Sequence, residues 1–403
     1  MPRFSPRALY AAYPPGFWVI WLGTLINRLG EFVVPLLGFY LSARRGLDIT
    51  QVTLILSLLG VGRFISEPLG GALSDRYGPP LAMLLSLSGG ALLLLALSSA
   101  STYLWIVAGV LGYSLLISLY KPAASTAVAA LTSGAQRTRA YNLLYWAINV
   151  GASVAPLLGG YLSAFSFRLI FVLDAAAMGL YAALLGLFYK DETRSRASRR
   201  AAPVRLKRDP LLFTYLLAAL LFAITYQGYK LLGVVFVQQG FTAAQYGQVL
   251  AVNGALVVLL GLPLGHSLAR ESHPRWLAVG ALLLGLGFGL HAFAATLLAH
   301  MLAVVVWSLG EIVTYSISKT IIAELGRAEV RGRYIGLAGS MNGLGALISP
   351  LLGGAVLSRF GNAPLWLMLA GFSGVAALIY WRLEGAVLAR RAVRVAEELA
   401  VQT

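Results

Sequence analysis

The chain has 403 residues, of which 59% are hydrophobic and only 11% charged, with a mean hydropathy of +0.78 and a formal net charge of +16. Soluble domains carry about 25% charged residues, so this chain cannot build the polar skin of a soluble enzyme, and 44 Gly and 16 Pro without a short period exclude a fibrous or disordered chain. With no cysteine there is no disulfide framework, thiolate metal site or cysteine nucleophile. A polytopic membrane protein remains.

Spanning helices need roughly 20 mostly apolar residues. In chain order such runs fall near 16–41, 50–73, 80–99, 103–131, 138–162, 168–189, 211–237, 243–268, 275–297, 299–323, 332–357 and 363–384, twelve in all. Lipid leaves no partner for an unpaired backbone group, and the runs are too long and too uniformly apolar for barrel strands, so the predicted class is all-α. Arg3 and Arg7 precede a run without the short core of a cleavable signal. Of the 31 Lys and Arg, 22 lie on the side of the termini, four on the other side and five inside spans. That asymmetry predicts cytoplasmic termini in a cell inner (plasma) membrane. Residues 190–210 form a basic linker between a bundle at 1–189 and a bundle at 211–384, and 385–403 read as a cytoplasmic tail. The linker charges read as a solvated tether, with contact to anionic headgroups the alternative.

The first span carries Asn27, Arg28, Gly30, Glu31 and Pro35. Arg28 and Glu31, at i and i+3, share a face, so Glu31 is either one half of a permanent ion pair or a proton carrier. The second span holds Arg63 and Glu67, an expected i, i+4 pair near Asp75. It runs into Gly71-Ala-Leu-Ser-Asp75-Arg76-Tyr-Gly78, in a short turn followed by Pro79 and Pro80. This segment resembles the G-x-L-x-D-R-x-G signature of the major facilitator superfamily, without its later basic pair. The resemblance implies two six-helix bundles, transport by alternating access without enzymatic chemistry, and a switch role for Gly71, Asp75, Arg76 and Gly78; a plain structural turn is the other reading. Lys121-Pro122 marks a break in the fourth span.

The fifth span has Tyr141, Asn142, Tyr145, Trp146 and Asn149, then Gly151, Pro156, Gly159 and Gly160. The latter run is similar to the G-x-x-x-[GA]-P-x-x-G-G motif of the superfamily's antiporters and also suits plain helix packing. Leu144 stands where related drug exporters often have an acid. Asp174 sits about two turns inside the sixth span, where it either ties helices together or binds something. The seventh span offers Tyr226, Gln227 and Lys230. In the tenth, Gly310-Glu311-Ile-Val resembles the stretch bearing the membrane-embedded Glu of bacterial multidrug/proton antiporters, with Tyr315 and Lys319 on the same face. In the eleventh, Pro350 to Gly354 repeats Pro156 to Gly160 at an offset of 194; Arg139 and Arg333, and Gly71 and Gly265, match at the same offset. Six spans separate the copies, so the repeats are parallel, with a substrate site expected between halves.

Glu31, Asp174 and Glu311 have no acidic counterpart at that offset, so they are the candidates for chemistry. Glu311 and Glu31 are the expected proton carriers. Arg28, Asn27, Asn142, Tyr145, Trp146, Asn149, Tyr226, Lys230 and Tyr315 are the expected substrate cavity, and Gly151, Pro156, Gly160, Pro350 and Gly354 the packing motif. His266, His273, His291 and His300 show no metal-ligand spacing, and no phosphate-binding loop or hydrolase motif occurs. No cofactor is expected beyond coupling protons. The expected partners are a small-molecule substrate, protons and the bilayer, with no nucleic acid and a monomeric chain. The expected activity is proton-coupled efflux of small amphipathic or drug-like compounds; the alternatives are proton-coupled import of peptides or small anions, a lipid or lysolipid flippase, or a membrane-embedded receptor or enzyme.

Overall fold

The computed structural model describes residues 10–189, 209–271, 273–325 and 331–402, and these are helical with short connections. The helices are α1 (Pro15–Leu29), α2 (Val33–Ala43), α3 (Ile49–Tyr77), α4 (Pro79–Ser98), α5 (Tyr103–Ile117), α6 (Tyr120–Leu131), α7 (Gly134–Leu162) and α8 (Phe167–Phe188). They continue as α9 (Pro210–Gln227), α10 (Tyr229–Gln238), α11 (Ala243–Glu271), α12 (Arg275–Leu290), α13 (Leu297–Leu325), α14 (Arg331–Phe360) and α15 (Asn362–Gln402). Eleven helical segments are long and apolar enough to cross a membrane, and α12 is a shorter apolar twelfth. The protein is a multi-pass membrane protein. Most of the linker, 190–208, lies outside the described residues.

Three of the twelve apolar runs are broken: the first between α1 and α2, the fourth between α5 and α6, and the seventh between α9 and α10. The fourth, expected to break at Lys121-Pro122, turns just before that pair, at Ser118-Leu119. The last run departs from expectation. Residues 385–402, expected as a separate tail, continue α15 without interruption. Ion pairs hold that extension: Arg390 to Asp209 at 2.6 Å and Arg391 to Glu324 at 2.7 Å.

The chain forms two compact units. One comprises Met1–Tyr40, Val61–Arg200 and Thr242–Gly254; the other comprises Leu41–Gly60, Ala201–Phe241 and Ala255–Thr403. The expected halves thus exchange two segments, one end of α3 and one end of α11. In the first unit, α11 lies directly on α7: a Cβ at Gly247 would meet the Pro156 carbonyl, and one at Gly160 the Ala243 carbonyl. The Tyr246 hydroxyl also donates to the Pro35 carbonyl at 3.2 Å. In the second unit, α3 lies on α14, with Gly60 against the backbone of Ala346 and Leu347 and Gly354 against Thr53. Small residues permit such backbone approach where lipid supplies no hydrophobic drive between helices. This is what the run containing Pro156 and Gly160, and its copy containing Pro350 and Gly354, does in the fold. Gly151 serves a different neighbour, the Cβ of Arg28.

Candidate functional site

In the first unit the chemistry gathers at the break in the first span. α1 stops at Leu29, Gly30 donates back to the Ile26 carbonyl at 3.0 Å, and α2 starts at Val33. A side chain at Gly30 would strike Ala177, so glycine is needed for α8 to approach here. Pro35, in the first turn of α2, has no N–H to leave unpaired. The Val33 N–H does, and Asp174 of α8 accepts it through Oδ2 at 3.1 Å. Asp174 is buried, 1% exposed, and acts as an N-cap supplied by another helix. This contact ties α8 to α2, one of its two expected roles. Arg28 and Glu31 form an ion pair at the same break, each side chain about a quarter exposed, at 26% and 27%.

The flanking residues take separate positions. Asn27 is buried, and Asn149 turns its amide back to the Tyr145 carbonyl at 2.7 Å in its own helix. Trp146 stacks parallel to Trp21, centroids 6.3 Å apart, and Trp21 donates to the Leu143 carbonyl at 3.0 Å. Asn142, Tyr145 and Trp146 are exposed on α7. Below the break, the hydroxyls of Thr24, Tyr120 and Tyr181 bond one another, Thr24 to Tyr120 at 2.7 Å, joining α1, α6 and α8. Sequence reading missed Trp21 and this hydroxyl cluster, because polar groups from distant spans meet only after packing.

In the second unit the Tyr226 hydroxyl donates to Glu311 Oε1 at 2.8 Å, from the last turn of α9 to α13. Tyr226 is also ringed edge-on by Tyr315 and Trp307. Tyr315 donates to Asn342 Oδ1 at 3.0 Å, which brings α14 into the cluster. Asn342 was not anticipated; a lone amide in the otherwise apolar eleventh span was its signal. Lys230 is buried, 6% exposed, in the first turn of α10 just past the α9–α10 break. Gly310, beside Glu311, gives the close approach of α13 to Gly280 and Leu284 of α12.

The segment expected as a short turn after the second span is mostly helix: Gly71 to Tyr77 end α3, and only Gly78 separates it from α4. Gly78 has φ +89°, a conformation that favours glycine, and Pro79 opens α4 at a position where its missing N–H costs nothing. Gly71 faces open space; it is Gly70 that lies against Leu119 and Pro122. The expected Arg63–Glu67 pair does not form, Arg63 being exposed on α3, and Asp75 is exposed without a hydrogen bond or ion pair among the described residues. Arg76 lies over the Tyr77 ring at 5.0 Å. No group of three or more His, Asp or Glu able to hold a metal occurs among the described residues.

A family model for the Major Facilitator Superfamily matches residues 20–325 and 232–398. The chain belongs to the major facilitator superfamily. Among its relatives, the uncharacterised MFS-type transporter YqjV of Bacillus subtilis (strain 168) is 26% identical over 378 residues, covering 90% of this chain and 92% of that protein. The multidrug resistance protein MdtH of Aeromonas salmonicida (strain A449) is 29% identical over 385 residues, covering 90% and 94%. Solved superfamily-like folds include a POT family transporter in complex with 5-aminolevulinic acid, at TM-score 0.79 and 16% identity, covering 93% of this chain and 97% of that one. The nucleoside transporter NupG (D323A mutant) aligns at TM-score 0.78 and 15% identity, covering 92% and 100%. The protein is therefore a transporter of this superfamily and not an enzyme.

Proposed function

We propose that this superfamily member is a proton-coupled exporter of small amphipathic or drug-like compounds, with Glu311 as the principal proton carrier and Glu31 as the second. The observation that carries the reading is the Tyr226–Glu311 hydrogen bond beside the break in the seventh span. A carboxylate that accepts a hydrogen bond there sits where a proton and a bound compound can compete for it. The Tyr226 and Tyr315 rings beside it offer apolar faces to an amphipathic compound. Glu31 differs in kind. Arg28 neutralises it, so taking up a proton releases the guanidinium. The similarity to the MdtH proteins, named for multidrug resistance, supports export. The buried Lys230 favours a second reading, import of peptides or small anions with protons.

Reconstitution into proteoliposomes decides between them. A cationic dye, an anionic compound and a lysolipid are offered in turn, and the direction of proton flux is followed. Export predicts proton movement opposite to the dye. Glu311→Gln should abolish coupled transport while leaving a folded protein; export at the unsubstituted rate would refute the assignment.

A further inference from the structure

The second unit holds another titratable cluster, on the side of the spans opposite the chain termini. His291 follows α12 and His300 lies in the first turn of α13, and both are fully buried. Their Nδ1 atoms stand 2.8 Å apart. His300 Nε2 is 2.8 Å from Gln239 Oε1, and Gln239 Nε2 donates to the Ala294 carbonyl at 3.1 Å. Phe236 and Phe241 pack on His300, and Phe288 and Trp366 on His291. Gln239 itself is exposed, so the chain of hydrogen bonds reaches the surface at one end.

The hydrogen positions follow from the partners. A carbonyl only accepts, so Ala294 forces the Gln239 amide nitrogen towards itself and the amide oxygen towards His300. His300 must then carry its hydrogen on Nε2, which leaves Nδ1 bare. His291 must therefore donate from Nδ1, and its own Nε2 is a bare lone pair. That atom is buried without a hydrogen-bond partner. The network accommodates only the uncharged pair. A proton on His291 Nε2 would point into rings that accept nothing, and a proton on His300 Nδ1 would set two N–H groups head-on at 2.8 Å.

We propose that His291 and His300 form a proton-binding site separate from Glu311, and that protonation there releases the turn 291–296 from Gln239 and α13. Once the turn opens, both imidazoles meet solvent, where such groups bind protons with a pKa of about 6.5. The closed arrangement is favoured above that pH and weakened as pH falls through it, by about tenfold per histidine from pH 7.5 to 5.5. Among the described residues, no carboxylate faces the pair from the segments packed on it. Along those segments the other titratable side chains are Tyr229 and Lys230 on α10, Arg275 on α12, Glu311, Tyr315, Lys319 and Glu324 on α13, and Tyr380, Arg382, Glu384, Arg390, Arg391 and those beyond on α15.

Because the chain has no cysteine, one introduced thiol is a clean reporter. Ala294→Cys, at a position 5% exposed, is labelled with maleimide and compared at each pH with Phe293→Cys, at a position 77% exposed. The ratio should rise by about 10- to 100-fold between pH 7.5 and 5.5, and should be flat when His291 and His300 are both replaced by Phe. A flat ratio in the chain with both histidines overturns the proposal. Nitrogen-15 histidine spectra at pH 7.5 test the same site without altering it, since only four histidines are present. Two neutral rings of opposite tautomer are expected; two rings of one tautomer, or charged rings, overturn it. Glu311→Gln should leave the pH response intact, so the two proton sites stand or fall separately.

Discussion

At the residue scale, Asp209 shows how much one carboxylate can organise. It caps α9 by accepting from the N–H groups of Leu211 and Leu212, takes the Tyr334 hydroxyl at 2.7 Å, and receives Arg390 in a two-pronged contact at 2.6 and 2.9 Å. Burial pushes its pKa up, but the hydrogen bonds from Arg390 and Tyr334 outweigh that and hold it below the usual carboxylate range. A depressed carboxyl contributes stability above its solvated pKa of about 3.9, and that contribution is lost as pH falls further through its own lower value. Asp209→Ala should lower stability by about 1 kcal/mol or more and loosen the end of α15, read as a lower melting temperature and faster proteolysis of 385–402. In the sequence Asp209 was only the last acid of a linker, since nothing local marks it as the partner of Arg390, far along the chain.

At the scale of elements, the breaks separate what pattern reveals from what it hides. Gly30 and Pro35 were visible inside the first span, yet hydropathy reads 16–41 as one run. The break exists because Asp174, from α8, satisfies the Val33 N–H. In lipid an unpaired amide costs several kcal/mol, so the broken helix and its cap require each other. Asp174→Asn keeps an accepting oxygen and should retain near-original stability in detergent. Asp174→Leu leaves the amide unmet and should lose about 1–3 kcal/mol, seen as a lower melting temperature; equal melting of the two variants would remove the capping role. The four long helices containing an internal proline, α3, α7, α11 and α14, carry it at Pro68, Pro156, Pro263 and Pro350. These helices hold the glycine contacts to partner backbones, so the scaffold repeats while Glu31, Asp174 and Glu311 do not.

For the whole molecule, the large positive charge reports orientation more than ligand. With 22 of 31 basic residues on one side, both termini are predicted to face the cytoplasm. Epitope tags at each end should be inaccessible to protease in intact cells and cleaved in inverted vesicles. The reverse pattern would contradict the charge count. The structure adds that α15 carries four of those basic residues, Arg382, Arg390, Arg391 and Arg394, on one unbroken helix, with Arg390 and Arg391 tied to the ends of α9 and α13 by ion pairs.

The sequence by itself determined the class, the twelve apolar runs, their repeat and the superfamily resemblance. Those depend on composition, periodicity and short spacing, which lipid enforces locally by requiring each backbone group to be paired within its helix. It also gave the Arg28–Glu31 pair, because residues three apart stay within reach of each other even where α1 ends at Leu29 and Glu31 lies in the break. Only the tertiary structure decided that Glu311 meets Tyr226, that Asp174 caps α2, that Arg63 and Glu67 stay apart, and that His291 meets His300. Each of those turns on which faces of separate helices come together, or on rotamers chosen against neighbours. Hydropathy, being an average over a span, carries no record of either.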